Sequence, residues 1–136
     1  MDGVNLTPLK IINNKKGDIL HVMKKNETNF SGFGEAYFSL IHQNVIKGWK
    51  RHFEMTLNIV VVSGEIEFVI YNGVDFFNIN LSRKNFQRLT VKPKLWFAFR
   101  GIGNNNILLN IGDIEHDPVE SENRTLDSFN YNWIPR

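Results

Sequence analysis

Lys50 and His52 stand two residues apart in the segment Gly48-Trp49-Lys50-Arg51-His52, next to the acidic Glu54. Histidine titrates near neutral pH and can take a proton and return it. A lysine beside it can stabilise a developing oxyanion, bind a phosphate, or itself act as a base. In an extended chain side chains alternate between faces, so Lys50, His52, Glu54, Thr56 and Asn58 share one side and Trp49, Phe53, Met55, Leu57 and Ile59 the other. Turned to solvent, the polar row is an ordinary half-buried strand. Turned into the mouth of a barrel, it is a small-molecule site. Tyr37, on a preceding strand-like run, could hydrogen-bond a carbonyl or return a proton.

These residues need a scaffold, and the chain has the means to build one. Its 136 residues suffice for one domain with a buried core, and 42% hydrophobic with 22% charged residues fits a globular protein. The absence of cysteine excludes a disulfide framework and a thiolate nucleophile or ligand, and suits a reducing cytoplasm. Sixteen basic against fourteen acidic residues leave a net charge of +2, too weak for a nucleic-acid surface. The first residues lack the charged start and apolar core of a secretory signal, and no apolar run reaches the ~18 residues of a membrane helix. The sequence is therefore expected to be cytoplasmic, with neither nucleic acid nor membrane as partner.

The positioning elements are strands. Residues 5–14 and 19–23 flank the turn Asn13-Asn14-Lys15-Lys16-Gly17-Asp18 and predict a hairpin, followed by a loop over 24–34. Ala36 to Ile41 and Val45 to Trp49 lead into the apolar block Ile59 to Tyr71, broken at Ser63-Gly64. Asn72-Gly73 predicts a tight two-residue turn. Further strands follow over 75–81, 89–92, 95–99 and 107–111, and the chain ends with Phe129, Tyr131 and Trp133 at alternate positions. No stretch keeps a helical period over three turns, and short strands recur at roughly eight to twelve residues. The expected class is all-β, a sandwich or barrel.

The segments GEAYFSLIHQNVIKGW, KRHFEMT, NIVVVSGEIEFVIYN, VKPKLWFAFRGIG and HDPVE, in this order from about Lys16 to Glu120, resemble the cupin superfamily. Within it they resemble the small sugar-nucleotide epimerases and isomerases related to dTDP-4-dehydrorhamnose 3,5-epimerase and the dTDP-sugar 3,4-ketoisomerases. The resemblance implies a single jelly-roll domain, usually paired as a homodimer, that binds a nucleoside diphosphate 4-keto-6-deoxy sugar without metal or other cofactor. The apolar N-terminal hairpin and the aromatic tail supply pairing surface.

In these relatives a glycine precedes G-x-H-x-H or G-x-H-x-Q, so His52 matches the second histidine while Lys50 replaces the first. Tyr37 matches the tyrosine of the ketoisomerase branch. His52, Lys50 and Tyr37 are therefore the catalytic candidates. Both reactions begin by removing a proton beside a ketone, which calls for a base and for stabilisation of the enolate. Lys16, Lys47, Arg51 and Arg88 are candidates for the diphosphate, Trp96 or Phe30 for stacking a nucleobase, and Asn110 for a substrate contact where the epimerases carry an acidic tyrosine. His21 and His42 are read as structural. No metal site is expected, since Lys50 and Phe97 occupy positions where metal-binding cupins place histidines, and His52 with Glu54 are too few ligands. The leading expectation is an isomerase or epimerase serving cell-surface polysaccharide such as lipopolysaccharide. The alternative is a cupin that has kept the pocket and lost the chemistry, binding a sugar nucleotide or a partner enzyme, and it is motivated by the departures at Lys50 and Asn110.

Overall fold

Alternating apolar residues separated by Gly, Asn and Pro turns yield strands throughout the chain. The computed structural model describes residues 1–135, with β1 (Val4–Pro8), β2 (Ile11–Ile12), β3 (Ile19–Leu20), β4 (Glu35–Ile41), β5 (Ile46–His52), β6 (Leu57–Ser63), β7 (Glu65–Tyr71), β8 (Phe76–Ser82), β9 (Gln87–Val91), β10 (Trp96–Gly101), β11 (Asn106–Gly112) and β12 (Ser121–Asn123). Two antiparallel five-stranded sheets carry the fold, in the orders β1-β9-β6-β11-β4 and β12-β5-β10-β7-β8. From β4 to β11 every connection except the β7–β8 hairpin crosses from one sheet to the other. That wiring is a jelly roll, the architecture expected from the sequence.

The sheets face each other across one core. Leu57, Ile59, Val61, Leu89, Val91 and Leu108 of the first sheet meet Ile66, Phe68, Ile70 and Leu81 of the second. Each such fully buried side chain is worth about 1.5–3 kcal/mol of transfer free energy. At the β4–β5 end the apolar packing stops, because residues there are short or polar: Ser39, Gly48, Lys50, His52 and Asn110. The barrel therefore stays open at one mouth.

Three local expectations change. The early strand divides: β1 pairs with β9 in the first sheet, and only β2 and β3 form the small hairpin. The Asn-Gly turn falls one residue later, on Gly73-Val74, because Asn72 and Asp75 flank it and the Asn72 side chain accepts from Val74 N and Asp75 N at 2.8 and 2.7 Å. The polar row beginning at Lys50 does not continue as one strand. β5 ends at His52, the chain bends through residues 53–56, and β6 starts with Leu57 facing the interior. Asn58 then faces outward, buried against Thr90 and the carbonyl of Asn29.

The outer face of the second sheet is covered by the chain's own C-terminus. Phe129, Tyr131 and Trp133 pack around Trp49, Trp96 and Tyr71. The aromatic tail expected as pairing surface is thus spent within the chain. No helix among the described residues is long and apolar enough to cross a membrane.

Candidate active site

The open mouth leads into a hollow of about 290 Å³. Its floor is apolar, built from Leu57, Ile59, Leu108, Phe97 and Phe99, and its wall carries Tyr37, Lys47, Lys50, His52, Asn110 and Asn123. A few convergent polar groups over an apolar floor is the usual construction of a small-molecule site. Phe68 stands behind Phe97 and Phe99, with ring centroids 5.8 and 5.9 Å away, and keeps the floor rigid.

A bulge in β5 aims the cations. Phe97 pairs with Lys50 and Phe99 with Lys47, so three residue steps on β5 oppose two on β10. The extra residue brings Lys47 to the same wall as Lys50 and His52, which strict alternation would forbid. Gly48 makes this possible, since a Cβ there would stand 2.4 Å from the Cβ of Ala98. Lys47 spans the mouth, its Nζ donating to the carbonyl of Leu40 on β4 at 2.6 Å. The half-buried Lys50 makes no side-chain hydrogen bond or ion pair with any described residue. An unpartnered ammonium in a cavity wall is poised for an anion that the protein itself does not supply.

His52 is 8% exposed, and its Nδ1 lies 2.5 Å from Oε1 of Glu120, itself 6% exposed. Glu120 comes from a one-turn 3₁₀ segment, Pro118–Glu120, started by Asp117, whose side chain accepts from Val119 N at 3.0 Å. Its second oxygen accepts from the backbone N–H groups of Glu54 and Met55, each at 3.3 Å. Burial pushes the Glu120 carboxyl up, but the hydrogen bond to His52, the charge of that imidazole and the two amides outweigh it and hold the group below the ordinary carboxylate range. Glu120 therefore stays an acceptor at neutral pH, and the Nδ1–H of His52 donates to it. The tautomer is fixed, and Nε2 is left as the ring nitrogen able to accept a proton from a ligand. The backbone of His52 is pinned as well, since Lys94 N donates to its carbonyl at 2.6 Å from the turn after β9.

Tyr37 and Asn110 face each other across the β4–β11 ladder. Asn110 Nδ2 donates to the Tyr37 hydroxyl at 3.1 Å, and the other end of the buried amide has no protein partner among the described residues. Both residues line the hollow, so hydroxyl and amide together present a polar patch to a ligand.

The structure thus brings together His52, Lys50, Tyr37, Lys47 and Asn110. It does not bring Lys16, Arg51, Arg88 or Trp96 to the hollow. Lys16 sits in the exposed turn before β3, its N–H donating to the Asn14 side chain. Arg51 alternates outward from β5, pairs with Glu122 at 2.5 Å and stacks on Trp96, which belongs to the outer aromatic cluster. Arg88 is buried on the outer face of the first sheet, where it binds Glu27 at 2.6 Å and the carbonyl of Val22. Phe30, in the 24–34 loop, is likewise absent from the lining. Among the described residues no group of three or more His, Asp or Glu is placed to hold a metal ion.

Three site residues escape a reading of the strands: Glu120, which holds His52, and Asn123 and Arg124, which line the hollow. All lie beyond the regular β pattern, at or beside β12, which returns alongside β5 with Ser121 opposite His52 and Asn123 opposite Lys50. The local signal is the segment HDPVE, in which Asp117-Pro118 marks a turn start before Glu120 but names no partner for it.

Fold and site together define a jelly-roll protein with a buried, carboxylate-paired histidine in the wall of a ligand-sized barrel mouth. No family model and no curated protein matches the sequence. Among solved structures, a dTDP sugar isomerase from Desulfovibrio desulfuricans G20 is 32% identical, with a TM-score of 0.90 over 93% of this chain and 87% of that one. A sugar 3,4-ketoisomerase from Thermoanaerobacterium thermosaccharolyticum, solved in complex with TDP, is 17% identical, with a TM-score of 0.81 over 93% and 91%. A 3'-monoepimerase from Streptomyces bikiniensis, in complex with dTDP, is 10% identical, with a TM-score of 0.85 over 96% and 75%. The last two share the fold. The first shows the family: this chain belongs to the dTDP-sugar isomerases of the cupin superfamily.

Proposed function

We propose that the protein is a sugar-nucleotide isomerase that moves or inverts substituents next to the ketone of a nucleoside diphosphate 4-keto-6-deoxy sugar. The observation that carries this reading is the pairing of His52 with a buried carboxylate beside the unpartnered Lys50. His52 Nε2 removes the proton from the carbon next to the ketone, and the pair of electrons moves onto the carbonyl oxygen. Lys50 neutralises that oxyanion from the wall of the hollow. Tyr37, hydrogen-bonded to Asn110, hydrogen-bonds the same oxygen or returns a proton. For a 3,4-ketoisomerisation the proton leaves C3 and the C4 oxygen gains one to give the enediol, and protonation at C4 with loss of the proton on the C3 oxygen leaves the ketone at C3.

The hollow, at about 290 Å³, sits at the lower end of small-molecule pockets and suits the sugar ring. The nucleotide then extends over the mouth, where Lys47 and the exposed Asn123 stand. Similarity to proteins solved with TDP and dTDP supports thymine as the base. We place the protein in the cytoplasm, in keeping with its lack of cysteine, and in the supply of sugars for cell-surface polysaccharide. We also propose a homodimer. Phe38 and Leu40 on the edge strand β4 are 64% and 62% exposed, and Ile12 and Ile19 of the small hairpin are exposed too.

Incubation with dTDP-4-keto-6-deoxyglucose, followed by NMR of the sugar ring, tests the reaction. Conversion to a 3-keto isomer or a C3 or C5 epimer is expected. Tight binding with the substrate unchanged after prolonged incubation would favour a pocket without chemistry.

A further inference from the structure

Glu120 is the only buried residue between Asp113 and Pro135, and it is a carboxylate. Left to itself such a segment would turn its carboxylate to water, because burying the charge is unfavourable without fixed partners. Something outside the segment must hold it in place. The backbone ladder to β5 runs from Phe53 N, which donates to the carbonyl of Glu120 at 2.7 Å, to the Trp49–Arg124 pair, whose two bonds are both 2.9 Å, but it lies at the edge of the sheet with β5 as its single partner.

The anchors stand on the other face of the sheet. Trp49 Nε1 donates to the carbonyl of Leu126 at 3.3 Å. Arg51 binds Glu122 at 2.5 Å, and Arg51 and Arg124 both stack on Trp96 at 4.6 and 5.4 Å. Beyond them Phe129 packs edge-on against Trp49 at 5.5 Å and lies 5.1 Å from Trp96 and 4.8 Å from Tyr71. Trp133 adds Trp49 at 6.3 Å and the guanidinium of Arg100 at 5.5 Å. None of these tail rings lines the hollow. Alternate residues of β5 thus serve two ends: Lys50 and His52 face the ligand, while Trp49 and Arg51 receive the strap that returns Glu120 to His52.

We propose that the aromatic C-terminal tail is a positioning strap: Phe129 and Trp133, docked on Trp49 and Trp96, hold β12 so that the Glu120 carboxylate stays on Nδ1 of His52. Phe129 and Trp133 are then positioning residues, acting on the reaction without touching the sugar. The inference rests on the assignment of His52 as the base. The fixed tautomer is lost when the strap loosens, whereas the walls and floor built by β4, β6, β10 and β11 keep their shape.

Phe129→Ala tests this, with Phe129→Leu as the conservative partner and Trp133→Ala as the second variant should Phe129→Ala fail to fold. The expected result is a fall in kcat of up to roughly a hundredfold, the scale set by misplacement of a catalytic group. The affinity for dTDP should be little changed, and Phe129→Leu should recover most of the rate. The direct readout is the strongly downfield proton NMR signal of the short His52–Glu120 hydrogen bond, which should be lost in Phe129→Ala and present in wild type. That signal needs no turnover, so it tests the strap even if the sugar reaction fails. Retention of the signal and of the wild-type pH–rate profile in folded Phe129→Ala or Trp133→Ala would overturn the strap while leaving the proposed reaction standing.

Discussion

Glu120 holds Nδ1 of His52 at 2.5 Å while its other oxygen accepts from the N–H groups of Glu54 and Met55. The carboxylate therefore spans the corner at which β5 ends, and one group both closes that corner and orients the base. Replacing it by Gln keeps the shape but lets the imidazole adopt the other tautomer. Glu120→Gln is expected to lower kcat by roughly a hundredfold or more with KM little affected, by analogy with carboxylates that orient catalytic histidines. Steady-state kinetics with a 4-keto sugar nucleotide would check this, and an unchanged kcat would remove Glu120 from the mechanism.

The same pair makes stability depend on pH in a defined direction. The Glu120 carboxyl is held below its ordinary value of 4.5 in the folded chain, so the unfolded chain binds its proton first as acid is added. Its contribution to stability is full above that ordinary value and is lost as pH falls through the lower, folded one. Glu27, whose carboxyl is held low against the Arg88 guanidinium despite the opposing effect of burial, acts with the same sign. Urea unfolding of wild type and Glu120→Gln should differ most near neutral pH and converge on acidification below about 4. A gap that widened in acid would contradict the assignment.

Lys50 separates function from stability. Its ammonium has no hydrogen-bond or ion-pair partner among the described residues, so its removal breaks no such bond there. Lys50→Met is expected to cost about 10²–10³ in kcat, the scale of a lost oxyanion donor. The melting temperature should stay level or rise, as for other sites that give up stability for function. Parallel loss of activity and of several degrees in Tm would assign Lys50 a structural role.

Gly48 lets two strands approach. A methyl group there would meet Ala98 Cβ at 2.4 Å and its Cα at 2.9 Å, where β10 cannot yield without moving Phe97 and Phe99. Gly48→Ala should destabilise the fold by about 1–3 kcal/mol, the usual cost of overpacking. Chemical denaturation would measure it, and a neutral result would show that the bulge does not depend on glycine.

Much of this was legible in the residues. The alternation of Glu35–Ile41 and the apolar block around Ser63-Gly64 mark the strands that form β4, β6 and β7, because a half-buried sheet imposes a period of two. Lys50 and His52 share the hollow because same-parity residues of one strand share a face, and Tyr37 meets them from β4 of the facing sheet. Parity fails at two kinds of place. A bulge adds one residue, as at Gly48-Trp49, and a corner resets the count, as between His52 and Leu57, so Glu54, Thr56 and Asn58 leave the expected row. The charged candidates misled for another reason: Arg51 and Arg88 look free in one dimension, whereas Glu122 and Glu27 claim them in three. Glu120 was the hardest to find, since 68 residues separate it from His52 and no pattern links a 3₁₀ turn to a strand end.

The central claim is that His52 takes a proton from the carbon beside a ketone. Its most direct test is NMR in heavy water of the ring protons of dTDP-4-keto-6-deoxyglucose, with wild type and His52→Asn side by side. Wild type should replace the proton next to the ketone by deuterium, and His52→Asn should bind the same sugar nucleotide with exchange slowed to the background rate. Exchange that survives intact in His52→Asn, or that wild type never catalyses with this or any other 4-keto sugar nucleotide, would contradict the account.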